Sequence, residues 1–122
     1  MNTAAQILTG LVAVLHVYFL VLEMFLWTKP YGRRVFGLTA EKAAMTQSLA
    51  ANQGLYNGFL AAGLVWGIGA GADGFALKVF FLSCVVVAGV FGAATASKKI
   101  LWVQALPGAV ALGLVWLVWL AR

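Results

Sequence analysis

The 122-residue chain is 64% hydrophobic and only 9% charged, with a net charge of +5 and a mean hydropathy of +1.00. A soluble domain carries about 25% charged residues, so this composition excludes a soluble globular fold and turns the apolar surface towards lipid. The positive charge does not read as a nucleic-acid interface, because the basic residues are few and fall at the ends of apolar runs.

A membrane-crossing helix needs about 20 mostly apolar residues. The first such run covers residues 3–27 and ends at Lys29, Pro30, Gly32, Arg33 and Arg34. No Lys or Arg precedes it, and His16 and Glu23 lie inside it, so it reads as a retained helix and not as a cleaved signal. Asn2, Thr9, His16 and Glu23 recur every seventh residue. Seven residues are nearly two turns, with a drift of only about 20°, so the four share one face. A charge at mid-membrane costs about 2.5–3.5 kcal/mol on insertion scales. Glu23 avoids part of that cost by lying near the end of the run, whereas His16 falls near its middle. The two are about 10 Å apart along the axis and share no direct hydrogen bond. They suit a proton relay or a ligand site. A metal site is disfavoured, because the chain has no second histidine.

The loop 29–42 places Arg33 and Arg34 beside Tyr31 and Phe36, and reads first as a topology signal. The second run covers residues 43–70. Within it Asn52, Gln53, Tyr56 and Asn57 occupy one arc of about 140°, with Gln47 one to two turns earlier. Ala50, Gly54, Gly58 and Ala62 form an adjoining small-residue face of the kind that lets membrane helices approach closely. A helix with both faces is expected at the buried centre of a bundle. Gly63, Gly67 and Gly71 continue the spacing of four.

The third run covers residues 75–96 and includes the single cysteine, Cys84, read as inert packing. With one cysteine the chain forms no internal disulfide. The fourth run covers residues 100–120, and Pro107 is expected to kink it. Ala88, Gly92 and Ala96, then Ala105, Ala109 and Gly113, form two further small-residue faces. Gln104 is the polar residue near the start of the fourth run.

The predicted fold is therefore all-α, a single domain of four transmembrane helices. Lys29, Arg33, Arg34, Lys42, Lys98 and Lys99 lie on one side of the membrane, and only Lys78 and Arg122 on the other. That bias puts both basic loops in the cytoplasm and both termini outside, in a cytoplasmic (inner) membrane. Counted from the cytoplasmic ends, His16 is level with Asn52 to Asn57 and Glu23 with Gln47 and Gln104, so His16, Glu23, Gln47, Asn52, Gln53, Tyr56, Asn57 and Gln104 are expected at one polar site between the first two spans.

The stretches HVYFLVLEMFLW from His16 and NQGLYNGFLA from Asn52, with Phe36-Gly37 between them, resemble the bacterial membrane family catalogued as domain of unknown function 1304. The resemblance covers essentially the whole chain. It implies the four-helix fold and supplies no activity. The residues themselves leave three functions open. The first is binding or transport of a small, largely apolar molecule, with Glu23 as the proton-coupled or charge-pairing group. The second is an intramembrane enzyme acting on a lipid-like substrate with His16 or Glu23 as acid or base. The third is a structural subunit. Membrane lipids and further copies of the chain, as a homo-oligomer, are the expected partners; no cofactor and no nucleic acid are implied.

Overall fold

The computed structural model describes residues 3–122, so Asn2, the first member of the polar stripe, lies outside the described residues. The described chain is helical throughout its regular structure. The order is α1 (Thr3–Met24), α2 (Pro30–Phe36), α3 (Ala40–Gly69), a 3₁₀ turn (Gly71–Gly74), α4 (Phe75–Thr95), a π-helical segment (Leu101–Ala105) and α5 (Leu106–Leu120).

The helix ends follow local chemistry. Pro30 opens α2 in its first turn, where a missing N–H costs nothing. Gly37 closes it in the left-handed region at φ 65°, and the Leu38 N–H reaches back to the Arg33 carbonyl at 2.8 Å. This short helix was read from the sequence only as a loop. Thr39 caps α3, its Oγ1 accepting from the Lys42 N–H at 3.1 Å, and Glu41 sits favourably in the first turn. Gly71, at φ 61°, ends the run with open space about its Cα, so it serves the turn and no packing face. Pro107 falls in the first turn of α5, directly after the π-helical segment. Proline removes the donor that would bond the carbonyl four residues earlier, and a π turn absorbs such a break. The expected kink at Pro107 thus coincides in sequence with a change of helix type.

Three stretches, Thr3–Met24, Gly71–Thr95 and Leu101–Leu120, are long and apolar enough to cross a membrane. The fourth expected span does not join them. Helix α3 has 30 residues, but Gln47, Asn52, Gln53 and Asn57 dilute its apolar content.

The chain divides into two compact units, one of residues 3–13 with Leu60–Arg122, the other Val14–Phe59. The core of the first joins Ala5, Val12, Ala13, Leu64, Leu82, Val85, Ala111 and Val115. Against lipid, apolar burial gives helices little reason to associate, so close packing has to hold them. Small residues make it possible: Gly63 lies against the Phe81 ring, Gly89 against the Ala105 backbone, and Gly108 against Val85. Of the two α4 glycines, Gly89 makes the closer approach, one residue off the predicted Ala88–Gly92–Ala96 face, and Gly92 of that face lies against Ile100. Gly113 of the predicted α5 face has nothing within 4 Å of a Cβ position. In the second unit Leu22, His16, Ala43 and Ala50 are buried.

Candidate functional site

Of the eight residues expected at the polar site, seven lie in the second unit, while Gln104 lies in the first, part-buried in the π-helical segment. The second unit is built around a close approach of α1 and α3. A Cβ on Gly54 would stand 2.6 Å from Met24 Cγ, 3.1 Å from Glu23 Cβ and 3.2 Å from the Leu20 carbonyl oxygen. One on Gly58 would stand 2.8 Å from Leu20 Cδ1. The absence of side chains at these two positions is what lets the backbones meet. Asn57, between them in sequence, then reaches across: its Nδ2 donates to Glu23 Oε1 at 2.5 Å.

Other contacts fix the same crossing. Trp27 Nε1 donates to Thr46 Oγ1 at 2.9 Å, and that hydroxyl donates on to the Lys42 carbonyl at 2.7 Å. The Trp27 and Phe36 rings lie 4.8 Å apart, tying α2 to the end of α1. The Tyr18 and Tyr31 hydroxyls are 2.6 Å apart, and Gly32 sits against the Leu26 carbonyl. Trp27 lies just past the end of α1. Its indole N–H, always a donor, was the signal that it would also need an acceptor.

Glu23 is half-buried and is the penultimate residue of α1. Its distance from the helix midpoint is about 14 Å, close to the half-thickness of about 15 Å of a bilayer's hydrocarbon core. No basic side chain pairs with it among the described residues. Arg34, on α2, instead lies over the Tyr31 ring at 5.6 Å. The carboxyl group thus has one oxygen held by an amide and no countercharge.

His16 is fully buried, with its ring edge-on to Phe19 at 5.2 Å and 72°. It sits two turns from Glu23, about 10 Å along the helix, so the two do not act on one atom together. Gln47, Asn52, Gln53 and Tyr56 are exposed. Helix α3 is therefore not the buried centre that its composition suggested. Its small-residue face, Ala43, Ala50 and Gly54, is the buried one, and of the polar arc Asn52, Gln53 and Tyr56 are turned outward while Asn57 reaches Glu23. A single neighbour takes only one of two adjoining faces, and the small residues permit the closer contact. Among the described residues no group of three His, Cys, Asp or Glu side chains is placed to hold a metal ion.

An all-helical chain with three helices able to cross a membrane, and a carboxyl–amide pair where α1 meets α3, is a helical membrane protein of small size. More particularly, it belongs to the family described as Protein of unknown function (DUF1304), which matches residues 10–116. The chain is similar to the Uncharacterized protein YpaA of Lactococcus lactis subsp. lactis, 31% identical over 106 residues, covering 85% of this chain and 89% of that protein. No solved structure matches it.

Proposed function

We propose that this protein binds, and carries across the membrane, a small and largely apolar molecule bearing a positive charge or a hydrogen-bond donor, and that Glu23 receives that group. The observation behind this reading is the Glu23 carboxyl group itself, held on one oxygen by Asn57 and without a basic partner among the described residues. At the edge of the hydrocarbon an uncompensated acid is unfavourable. A bound cation or donor, or a proton taken up in exchange, removes the penalty.

The reading includes a fourth span. Gln6, in α1, and Lys78, in the first turn of α4, are hydrogen-bonded, so both helices begin at one end of the first unit. Whatever joins them must bring the chain back to the end from which α1 departs. Helix α3, at about 45 Å, is long enough, and residues 43–69 carry no charge. Together with the charge bias this supports an orientation with the loops bearing Arg33, Arg34, Lys98 and Lys99 in the cytoplasm and both termini outside a cytoplasmic membrane. Reporter fusions at the two ends and at residue 98 test that orientation; a cytoplasmic signal from either end refutes it.

The function is tested in proteoliposomes with lipophilic cations such as tetraphenylphosphonium and ethidium, following total tryptophan fluorescence and uptake. Glu23→Gln is expected to weaken binding about tenfold or more, the loss of one charge-assisted interaction, and to abolish coupling of uptake to a proton gradient. Unchanged binding and uptake in that variant would remove Glu23 from the mechanism. The outward amide arc of α3 favours a second reading, that a second copy of the chain pairs with Asn52 and Gln53, since amides facing lipid need partners. Gln53→Cys is then expected to form disulfide-linked dimers in native membranes, and purely monomeric protein would count against it.

A further inference from the structure

Lys78 and Arg122 are the two basic residues that run against the charge bias of the chain, and they stand 44 positions apart in sequence. The fold brings both to one cavity of about 210 Å³ in the first unit, where α1 and α4 begin and α5 finishes. Lys78 is only 7% exposed. A lysine that merely marked a helix end would extend its ammonium into water along its flexible stem. Here the stem is instead laid against α3, at Gly67, where a Cβ would stand 2.8 Å from Lys78 Cγ.

The cation is incompletely satisfied. Lys78 Nζ donates to Gln6 Oε1 at 3.0 Å, which uses one of its three protons. Asp73, the acid nearest in sequence, is exposed and makes no ion pair with it among the described residues. Arg122 adds a second positive charge to the same cavity. Its guanidinium lies 3.9 Å over the Trp119 ring, and Trp119 is in turn stacked on Phe75 at 4.0 Å and 14°. Stacking occupies the face of the guanidinium and leaves its N–H edge, the part that forks onto carboxylates and phosphates, without a protein acceptor among the described residues. Two cations in one cavity repel each other, and an ammonium drawn partly out of water without a countercharge is unfavourable. An anion relieves both.

Size and lining narrow its chemistry. A cavity of 210 Å³ holds about seven waters and falls below the roughly 300–1,000 Å³ of sites that enclose a drug-sized molecule. It fits a headgroup and the first carbons behind it. Phe75, Val115 and Val118 make the rest of the wall apolar. We propose that this cavity binds an oxyanion, a carboxylate or a phosphate, borne on an amphipathic molecule, with Lys78 and Arg122 as its receptors and the Phe75–Trp119 stack holding Arg122 in place. It is separate from Glu23, whose requirement is for the opposite charge.

The full-length protein, purified in a neutral detergent, is titrated with oleate, phosphatidic acid, diacylglycerol and inorganic phosphate, and bound species are read by native mass spectrometry. Oleate or phosphatidic acid is expected to bind, and diacylglycerol, which has the tails without the anion, is not. Lys78→Met, which keeps the apolar stem, and Arg122→Gln, at an exposed position, are each expected to weaken binding about tenfold or more. Competition by millimolar inorganic phosphate supports the oxyanion site and shows that it also takes the free ion; no competition assigns it to the amphiphile. Failure of every anionic probe to bind, or binding that survives Arg122→Gln and Lys78→Met undiminished, overturns the proposal.

Discussion

Replacing Gly89 with alanine adds one methyl group where α4 meets the π-helical segment ahead of α5. That Cβ would stand 2.6 Å from the Ala105 amide nitrogen and 2.8 Å from Ala105 Cα and Cβ. None of these atoms is the end of a flexible side chain, and two are backbone. Ordinary contact begins near 3.4 Å, so the two backbones have to separate by roughly 0.6–0.8 Å, a large fraction of the attractive well. Overpacking of this kind costs about 1–3 kcal/mol, while alanine regains about 1 kcal/mol of helix propensity. Gly113→Ala supplies the control. It is the same change in a helix, and no atom lies within 4 Å of the new Cβ, so only the propensity gain of about 0.5–1 kcal/mol remains. The propensity contribution cancels between the two variants, which isolates a packing cost of about 1–3 kcal/mol. At roughly 4 °C per kcal/mol for a chain of this size, Gly89→Ala should melt about 4–12 °C below Gly113→Ala in detergent, read by intrinsic fluorescence and by loss of monodispersity. Equal midpoints, or Gly89→Ala the more stable, would refute the view that the approach of α4 to the π-helical segment is set by that glycine.

Removing the Asn57 side chain takes away the donor to a half-buried carboxyl, and Asn57→Ala should lower stability by about 1–3 kcal/mol. In a cycle with Glu23→Ala the coupling energy should lie near the average of about 0.6 kcal/mol for hydrogen bonds between membrane helices and not exceed about 1.7 kcal/mol; additive single effects would show that the pair is not coupled. Gly54→Ile directs a branched side chain at Met24, Glu23 and the Leu20 carbonyl, and should leave little folded protein in a size-exclusion profile of solubilised membranes. Gly37 holds a positive φ with open space around it, so Gly37→Ala should cost about 1 kcal/mol in thermal unfolding and Gly37→Asn clearly less. If the alanine and asparagine variants melt together, the left-handed cap is not what ends α2.

Much of the candidate site was legible at the level of single helices. Glu23 and Asn57 were both marked by polarity inside apolar runs, and the Gly54–Gly58 face was marked by its spacing. Depth alone set Glu23 level with Gln47 and Gln104 and set Asn57 level with His16, whereas the structure pairs Glu23 with Asn57, because the close approach at Gly54 and Gly58 fixes the register of the crossing and counting from helix ends does not. Helix α2 was hidden by its length: the seven residues from Pro30 to Phe36 have little pattern of their own, and only Pro30 and Gly37 announced a start and a stop.

The apolar runs, their breaks at Pro30, Gly37 and Gly71, and the uneven distribution of lysine and arginine are properties of the chain read one segment at a time. They determined by themselves that the protein is helical and that most of its helices suit a membrane, since backbone hydrogen bonding and hydrophobic length act locally. Which face of α3 is buried was decided only by the tertiary structure. So was the use of Gly89 in place of Ala88, and so was the meeting of Lys78 with Arg122. Helical periodicity states which residues share a face, but the face that meets a neighbour depends on how closely every backbone approaches at once.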